Sequence, residues 1–434
     1  MKKMTTLSLS LILSCSIYAQ IPSFLEYELQ DILDMHYNQN FPYGYSASVY
    51  IDGLGYWEGT AGYSHDDVQV SSDMLLGIGS NTKLFTAVLC MKFQENGLLS
   101  LDDSIHSYLP SFLNIDSSST IRQLLQHHAG IDDYVNYTMP DLVMENANHT
   151  WTTEEILSYV GEPVGEPGQQ VVYSSTGYVL AAIILEEISN TNWHTLVRDS
   201  ILNPLNLENT YAEGFESFSE NLAQPWYDGI NVNDTSRVGI GTLSWAAGCM
   251  VSTPISMAKW YNKLFNTSFL SEESLNEMST FINWVNFPYK MGVGIYEIKH
   301  GTNTYWGHGG QTIGFNSISY YNPSNKSTIC VLVNDTNKNP SNIARDLGAR
   351  IANVNLSLAY TNSDKNLKLY PNPTSGIVKI DAKQLVQVEL YNAQGVLLKT
   401  CIQEELNLSS QQSGIYYIRV STQDYVTTKK VVLN

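Results

Sequence analysis

Two pairs of strand patterns lie far apart in the chain, and helical patterns fill the interval between them. Apolar residues alternate over Tyr45–Ile51 and Tyr56–Tyr63, and Asp52-Gly53 joins these segments, so the sequence predicts an antiparallel hairpin. Strand patterns return only at Ser317–Tyr321 and Thr328–Val333. Strand pairs at both ends with helices between them indicate one antiparallel sheet covered by helices, an α/β (α+β) architecture with a helical insertion.

The expected helices follow from apolar residues spaced three and four positions apart. One precedes the first hairpin, over Phe24–Met35, and another closes the unit, over Pro340–Val354. The sequence therefore predicts a sheet flanked by N- and C-terminal helices, together with a helical subdomain. Its main helices are expected at Lys83–Asn96, Thr153–Val160, Thr176–Ser189 and Pro254–Phe265.

Residues 1–19 have the pattern of a secretory signal peptide. Lys2 and Lys3 precede an apolar stretch from Leu7 to Ile17, and the small residue Ala19 follows it. This stretch is too short for a membrane-spanning helix, and the apolar runs that follow are shorter still. We therefore expect an exported chain with no transmembrane segment after cleavage.

A polar segment, residues 359–367, separates the larger unit, residues 20–358, from a tail of different pattern, residues 368–434. The tail consists of short alternating segments between turn signals such as Ser413-Gly414, and this spacing predicts a small all-β sandwich. Its strands are expected at Val378–Ile380, Gln387–Tyr391, Val396–Thr400, Ile415–Val420 and Val426–Val432.

Charge and cysteine usage exclude several function classes. The chain has 23 Lys and Arg against 42 Asp and Glu, a formal net charge of −19, so its surface should repel polyphosphate and no nucleic-acid partner is expected. The four cysteines after the signal peptide form no C-x-x-C pair, which argues against a disulfide scaffold or a zinc site. We expect buried free thiols at Cys90, Cys249, Cys330 and Cys401.

Ser80 and Lys83 form an S-x-x-K pattern directly before an apolar helical run. Residues three apart share a helix face, so the two side chains can meet. A serine hydroxyl becomes a nucleophile when a base takes its proton, and a lysine can be that base once burial lowers its pKa. Glycines before Ser80 let the chain enter the helix without crowding a substrate. The pattern predicts a nucleophile and its base.

The same spacing occurs again at Ser256 and Lys259, where it predicts no chemistry. There Thr253 can cap a helix that has Pro254 at its first position, so Ser256 is expected in the first turn of an ordinary helix. The spacing alone therefore identifies no catalytic serine, and further residues must converge on Ser80.

Two further motifs follow in the order found in the serine β-lactamase and penicillin-binding family. Residues 173–175, Tyr-Ser-Ser, resemble the family's Tyr-x-Asn element, and residues 306–310, Trp-Gly-His-Gly-Gly, resemble its Lys-Thr-Gly strand in the His-x-Gly variant. Residues 124–131 resemble the family's Leu-Leu-x-His-Thr-Ser-Gly-Leu segment. The resemblance, closest to class C enzymes, covers about Phe24 to Leu356 and implies a β-lactamase/transpeptidase-like fold.

The resemblance also implies a serine hydrolase that works through an acyl-enzyme. Ser80 would attack a carbonyl while Lys83 and Tyr173 pass its proton to the leaving group, and His308 matches the family's third-motif base. The backbone N–H groups of Ser80 and Gln311 would stabilise the oxyanion. This chemistry requires no cofactor and no metal ion. The other positions implied in substrate binding are Ser175, Gly309 and Gly310.

Two departures from the family pattern narrow the expected substrate, a small-molecule or peptide acyl donor. Ser175 stands where the family often has Asn, and its hydroxyl is shorter than an amide. His308 replaces Lys, which reduces the fixed positive charge of the site. We therefore expect a DD-peptidase- or esterase-like enzyme, with a true β-lactamase and a non-catalytic penicillin- or peptidoglycan-binding sensor as the alternatives. His127 and His128, in the matched segment 124–131, are expected to be structural.

The tail resembles a type IX secretion C-terminal sorting domain. The resemblance rests on Leu369–Gly376, on Val388–Asn392 with Gly395, on Ser413–Val420 and on the final Lys429–Leu433. It implies a partner, the outer-membrane secretion machinery, and an enzyme that is secreted or held at the cell surface. A β-sandwich that binds carbohydrate or stabilises the enzyme is the alternative.

Overall fold

A nine-stranded antiparallel sheet organises the larger unit in the computed structural model, which describes residues 21, 23–37, 42–135, 139–352, 367–382, 385–393, 397–422 and 426–434. The expected signal peptide, residues 1–19, and residues 359–366 of the expected linker lie outside the described residues. The strands of this unit are β1 Gly44–Ile51, β2 Gly55–His65, β3 Val68–Gln69, β4 Leu76–Gly77, β5 Thr210–Ala212, β6 Trp226–Tyr227, β7 Ile230–Asn231, β8 Met250–Ser252, β9 Ile282–Asn283, β10 Lys290–Met291, β11 Tyr296–His300, β12 Asn303–Thr312, β13 Phe315–Asn322 and β14 Ser327–Val333.

The sheet joins the two ends of the sequence, as expected. Its strand order is β3-β2-β1-β14-β13-β12-β11-β10-β9, so the N-terminal hairpin pairs directly with the last strand. In that pairing Tyr45 lies opposite Val333 and Val49 lies opposite Ile329. The predicted antiparallel sheet is confirmed, and its edge strands β9 to β11 are additions that the sequence patterns did not indicate.

Helices cover both faces of the sheet. They are α1 Ser23–His36, α2 Thr82–Glu95, α3 Ile121–Leu125, α4 Met139–Glu145, α5 Thr153–Ser158, α6 Thr176–Ser189, α7 Trp193–Val197, α8 Asn203–Leu205, α9 Val238–Gly248, α10 Pro254–Asn266, α11 Glu272–Met278 and α12 Ser341–Ala352. Short 3₁₀ turns span Gly79–Asn81 and Ile105–Ser107, and a π-helical turn, Arg198–Leu202, joins α7 to α8.

Strand β14 is buried along its whole length because it serves two cores at once. Ile329, Val331 and Val333 belong to the core beneath α1 and α12. Cys330 and Leu332 point the other way, into the larger core that contains α2, α6, α9 and α10. Alternate side chains of a strand face opposite sides of its sheet, so a continuous apolar run is what a strand covered on both faces requires.

The helix-start signals in the sequence act as expected. Thr253 caps α10 by accepting the Ser256 N–H, and Pro254 occupies the first helical position. This confirms that Ser256 is a first-turn residue of an ordinary helix. Helices α3 and α5 begin with capping boxes, Thr120 with Gln123 and Thr152 with Glu155.

The tail forms a separate all-β unit, as predicted. Two sheets, ordered β15-β16-β19 and β18-β17-β20-β21, share an apolar core that includes Val378, Leu390, Leu406, Ile418 and Val431. The strands are β15 Lys368–Tyr370, β16 Ile377–Asp381, β17 Leu385–Asn392, β18 Leu397–Cys401, β19 Glu405–Asn407, β20 Gly414–Thr422 and β21 Val426–Leu433.

The four cysteines among the described residues carry free thiols, as expected, but the expected burial of Cys401 is wrong. Cys90, Cys249 and Cys330 are buried, whereas Cys401 in the tail is partly exposed. Within the described ranges, none of the helices has both the length and the apolar character needed to cross a membrane.

Asn334 holds the end of β14 to the neighbouring chain segments. Its fully buried side chain accepts the Gly44 N–H at 2.7 Å and donates to the carbonyls of Ser64 at 3.0 Å and Gln224 at 2.8 Å. Asn334→Ala leaves the Gly44 N–H and the Gln224 carbonyl buried without partners, whereas the Ser64 carbonyl keeps its bond from Trp226 Nε1. We therefore expect the free energy of unfolding to fall by roughly 2–4 kcal/mol. Urea denaturation measures this loss.

The matched control is Asn276→Ala, at an exposed position on α11. It should change the free energy of unfolding by less than about 0.5 kcal/mol. Equal effects of the two substitutions would show that Asn334 is not the junction described here.

Candidate active site

Ser80 lies in the 3₁₀ turn Gly79–Asn81, which leads directly into α2. The chain before it belongs to a small three-stranded sheet of order β4-β8-β5. In this sheet Gly77 pairs with Val251, and the Ile78 N–H donates to the Met250 carbonyl at 2.9 Å. The buried Asn81 then ties the turn to the large sheet, because its Nδ2 donates to Ser317 Oγ at 2.8 Å. Ser80 is therefore presented at a junction of two sheets and a helix.

Two glycines let the Ser80 turn approach β12 without intervening side chains. Gly79 has a φ of +49°, and a Cβ there would lie 2.6 Å from the Gln311 nitrogen. A Cβ on Gly310 would lie 1.9 Å from the Ile78 carbonyl oxygen and 2.8 Å from the Ser80 nitrogen. The backbones are thus in direct contact, and the amides of Ser80 and Gln311 lie at one seam. These are the two amides that the sequence comparison predicted as oxyanion donors.

Lys83 is one helical turn beyond Ser80 and is buried. Its Nζ lies 3.0 Å from Ser80 Oγ and donates to the Ala247 carbonyl at 2.8 Å. Burial lowers the pKa of the Lys83 ammonium to about 7, and the Asp133 carboxylate opposes part of this shift. A buried amine with a pKa near neutrality can take up a proton from the hydroxyl it touches.

Tyr173, from the second motif, lies beside Ser80 and Lys83. Its ring lies 5.1 Å from Lys83 Nζ. Burial raises the pKa of the Tyr173 hydroxyl, and the Ser80 side chain is near enough to that hydroxyl to lower its pKa in part. The structure therefore brings Ser80, Lys83 and Tyr173 together from three separate parts of the sequence, as the motif comparison predicted.

His127 contacts this group directly. Its ring stacks on Tyr173 with a centroid separation of 4.2 Å, and its Nδ1 accepts the Ser174 N–H at 3.1 Å. Burial lowers the pKa of His127 well below its usual range, and the nearby Lys83 ammonium adds to the effect. The histidine is buried, as expected of a structural residue, yet it packs against a predicted catalytic side chain. Its neighbour His128 is half-exposed.

His308, in β12, is buried beside Tyr173 at a ring separation of 6.1 Å. Its Nδ1–H donates to the Gly309 carbonyl, so its Nε2 carries a free lone pair. Burial lowers the pKa of His308 to about 3, and the charge of Lys83 contributes. The imidazole is therefore neutral at physiological pH and supplies no fixed positive charge. Gly309, next along β12, lies against Tyr296.

Ser175 is the N-cap residue of α6. Its hydrogen-bond partner is a carboxylate that the sequence patterns did not reveal. The Ser175 N–H donates to Asp133 Oδ1 at 3.0 Å, and its Oγ lies 3.5 Å from Asp133 Oδ2. Burial raises the pKa of Asp133, and the positive charge of Lys83 works against the rise. The sequence offers one indication of this pair: Asp133 closely follows segment 124–131, which resembles a family motif.

A cavity of about 360 Å³ opens beside Ser80. Lys83, Ser175 and Gln311 also line it, so four of the predicted site residues share one cavity. Tyr173 and His308 are not among the described residues that form its wall. Lys83 is the one basic side chain in the described wall.

A fold with a helical subdomain on an antiparallel sheet, and a serine beside a buried lysine, define a serine hydrolase of the penicillin-recognising type. The Beta-lactamase family matches residues 39–353, and the chain belongs to that family. The Secretion system C-terminal sorting domain matches residues 368–434. The protein is therefore exported by type IX secretion and is secreted or displayed at the cell surface.

Individual relatives are distant. Penicillin-binding protein 4* of Bacillus subtilis is 28% identical over 163 residues, which cover 37% of this chain and 35% of that protein. Protein flp of Staphylococcus aureus strain MW2 is 24% identical over 354 residues, 77% of this chain and 66% of that protein. The chain thus spans less than two thirds of either relative.

Among solved structures, a D-stereospecific amidohydrolase from Streptomyces sp. is similar with a TM-score of 0.68 and 25% identity. The match covers 76% of this chain and 99% of that one.

The contact between the Ser80 turn and β12 can be tested at Gly310. In Gly310→Ala the added Cβ meets the Ile78 carbonyl and the Ser80 nitrogen, so the two candidate oxyanion donors must separate. Loss of one such donor costs about 10²–10³ in rate, and we expect a fall of that order in kcat for ester hydrolysis.

Gly165→Ala is the matched control, because a Cβ there meets only the Gln170 side chain, at 3.5 Å. It should keep nearly full activity. A Gly310→Ala enzyme as active as Gly165→Ala would contradict the assignment of this seam.

Proposed function

We propose that the protein hydrolyses amides or esters through an acyl-enzyme on Ser80. The observation that carries the proposal is the buried Lys83 amine, 3.0 Å from Ser80 Oγ, with its pKa lowered to about 7. The D-stereospecific amidohydrolase with the same fold supports an amide or ester bond as the target.

The proposed chemistry follows from the positions of the groups. Neutral Lys83 takes the Ser80 proton while Oγ attacks the substrate carbonyl carbon, and the negative oxygen that forms lies between the amides of Ser80 and Gln311. Tyr173, beside Ser80, then gives its proton to the departing amine or alcohol and regains one from the Lys83 ammonium, so that Lys83 is neutral again. Water attacks the resulting ester by the reverse path, and Ser80 regains its proton.

Charge favours substrates without a free terminal carboxylate. His308 is neutral because its pKa lies near 3, and Lys83 is the one basic side chain in the described cavity wall. A carboxylate moved from water into this site would lose hydration without gaining a fixed cation. Of the two types that the sequence favoured, the charge distribution therefore supports an esterase or amidase over a DD-peptidase acting on a free C-terminus.

The nucleophile can be identified with a fluorophosphonate probe. We expect one covalent adduct, on Ser80, located by mass spectrometry of the secreted protein, and no adduct in Ser80→Ala. Ser256→Ala is the matched control, since Ser256 belongs to the second S-x-x-K pattern but sits in the first turn of α10; it should label fully. Absence of an adduct on Ser80 in the wild-type protein would refute the hydrolase proposal and favour a binding role.

The pH dependence follows from Lys83. Its pKa is lowered to about 7, so the free amine that accepts the Ser80 proton predominates above pH 7 and is lost below it. We expect kcat/KM to rise about tenfold per pH unit below this point and to level off above it. His308, with a pKa near 3, should add no inflection between pH 5 and 9. A kcat/KM that stays constant from pH 5 to 8 would exclude Lys83 as the base.

A further inference from the structure

The cavity beside Ser80 has a largely apolar wall. Side chains from a loop, from α4 and α9, and from the end of the large sheet meet there, among them Tyr134, Val143, Tyr227, Ile240, Leu243 and Ile313. Most are buried in the protein, and they leave a volume of about 360 Å³. This size falls in the lower range of small-molecule sites, about 300–1,000 Å³.

Several polar groups in the wall are already paired with other protein groups. The Tyr134 hydroxyl donates to the Leu243 carbonyl at 2.8 Å, which turns its ring toward the cavity as an apolar surface. Thr336 Oγ1 accepts from Gly314 N–H and donates to the Thr312 carbonyl. Asp228 and Asn337, also in the wall, bond to each other at 2.7 Å. Apart from the reacting groups and the Ser244 hydroxyl, a ligand in this cavity would therefore meet mainly hydrocarbon.

The position of the cavity relative to the reacting atoms decides which part of a substrate it can hold. The substrate carbonyl oxygen lies toward the amides of Ser80 and Gln311, and the leaving group must lie toward Tyr173, which delivers its proton. The described cavity wall includes Ser80, Ser175 and Gln311 but neither Tyr173 nor His308. A leaving group held beside Tyr173 would therefore lie outside this cavity, which leaves the cavity for the acyl portion.

We infer that the enzyme is selective for bulky apolar acyl groups, which this cavity receives, and that α9 sets their size. The inference rests on the proposed function at Ser80. The side chains of Ile240, Leu243 and Ser244 enter the wall from one helix, and none of them belongs to the three motifs. Transfer of each CH₂ of an acyl chain into such a wall should raise kcat/KM about fourfold.

The test uses p-nitrophenyl acetate, butyrate and hexanoate with the full secreted protein, so that the leaving group stays constant. We expect kcat/KM to rise roughly two hundredfold from acetate to hexanoate. In Ser244→Phe a benzyl group fills the cavity, and the advantage of hexanoate over acetate should fall to less than about tenfold. Ser158→Phe, at an exposed position on α5, is the matched control and should keep the wild-type profile.

Two further measurements separate the outcomes. The rate of fluorophosphonate labelling at Ser80 shows whether each variant is folded and has a reactive nucleophile. Ile240→Ala enlarges the cavity, so the rise of kcat/KM with acyl length should extend to p-nitrophenyl octanoate. The ratio of kcat/KM for 2-naphthyl and p-nitrophenyl acetates should be unchanged in Ser244→Phe. A changed ratio would mean that the cavity takes the leaving group, which overturns the inference.

Failure of this inference differs from failure of the proposed function. A protein that labels at Ser80 but shows no dependence on acyl length, or whose dependence survives Ser244→Phe, is a serine hydrolase without the apolar acyl site inferred here. A protein that does not label at Ser80 refutes the hydrolase proposal itself.

Discussion

Direct backbone contact between the Ser80 turn and strand β12 is the constraint on which the site depends. Gly79 and Gly310 face each other across this seam, and a Cβ on either would overlap the opposite main chain. The contact sets the separation of the Ser80 and Gln311 amides and also fixes where α2 begins. Because α2 carries Lys83, the relation between nucleophile and base follows from the same contact. A seam of bare backbone is rigid in a way that side chains, with their rotamers, are not.

The second constraint is the cost of burying Lys83. Its nitrogen has one carbonyl and one hydroxyl within hydrogen-bond distance, and the rings of Tyr173 and Tyr178 lie 5.1 and 5.6 Å away. Asp133 is close enough to raise its pKa, but that carboxylate is bonded to the Ser175 and Val135 amides. The charged amine is therefore only partly compensated, and the neutral form becomes accessible near pH 7. Complete pairing would have kept the lysine protonated and unable to act as a base.

Sequence patterns predicted the elements that repeat a simple period or carry a recognisable cap. The helices α6 and α10 and the strands β1 and β14 lie close to their expected bounds, because their burial is continuous or strictly alternating. The edge strands β9 and β10 were missed since they have two residues each, too few for a period. They exist because β11 offers an unpaired edge.

In the candidate site, too, local patterns could be recognised in the sequence and long-range contacts could not. Ser80, Lys83, Tyr173 and His308 were found because they occupy motifs with fixed spacing. Asp133 was not, because its role depends on a contact with Ser175 across forty-two positions, and no local pattern encodes that contact. His127 was expected to be structural, and its stacking on Tyr173 is a tertiary contact that the residues next to it in the sequence could not indicate.

The proposed reaction depends on contacts between backbone segments, whereas the proposed selectivity depends on the side chains of the cavity wall. The seam admits almost no change at Gly79 and Gly310, because an added Cβ there meets backbone. The cavity wall is made of side chains from α4, α9 and the loop that carries Tyr134, and their sizes can change without moving Ser80 or Gln311. The Tyr134 hydroxyl bond to the Leu243 carbonyl connects that loop to α9 through main chain, so it survives substitution of the Leu243 side chain. Acyl selectivity can therefore change within this fold while the chemistry at Ser80 stays the same.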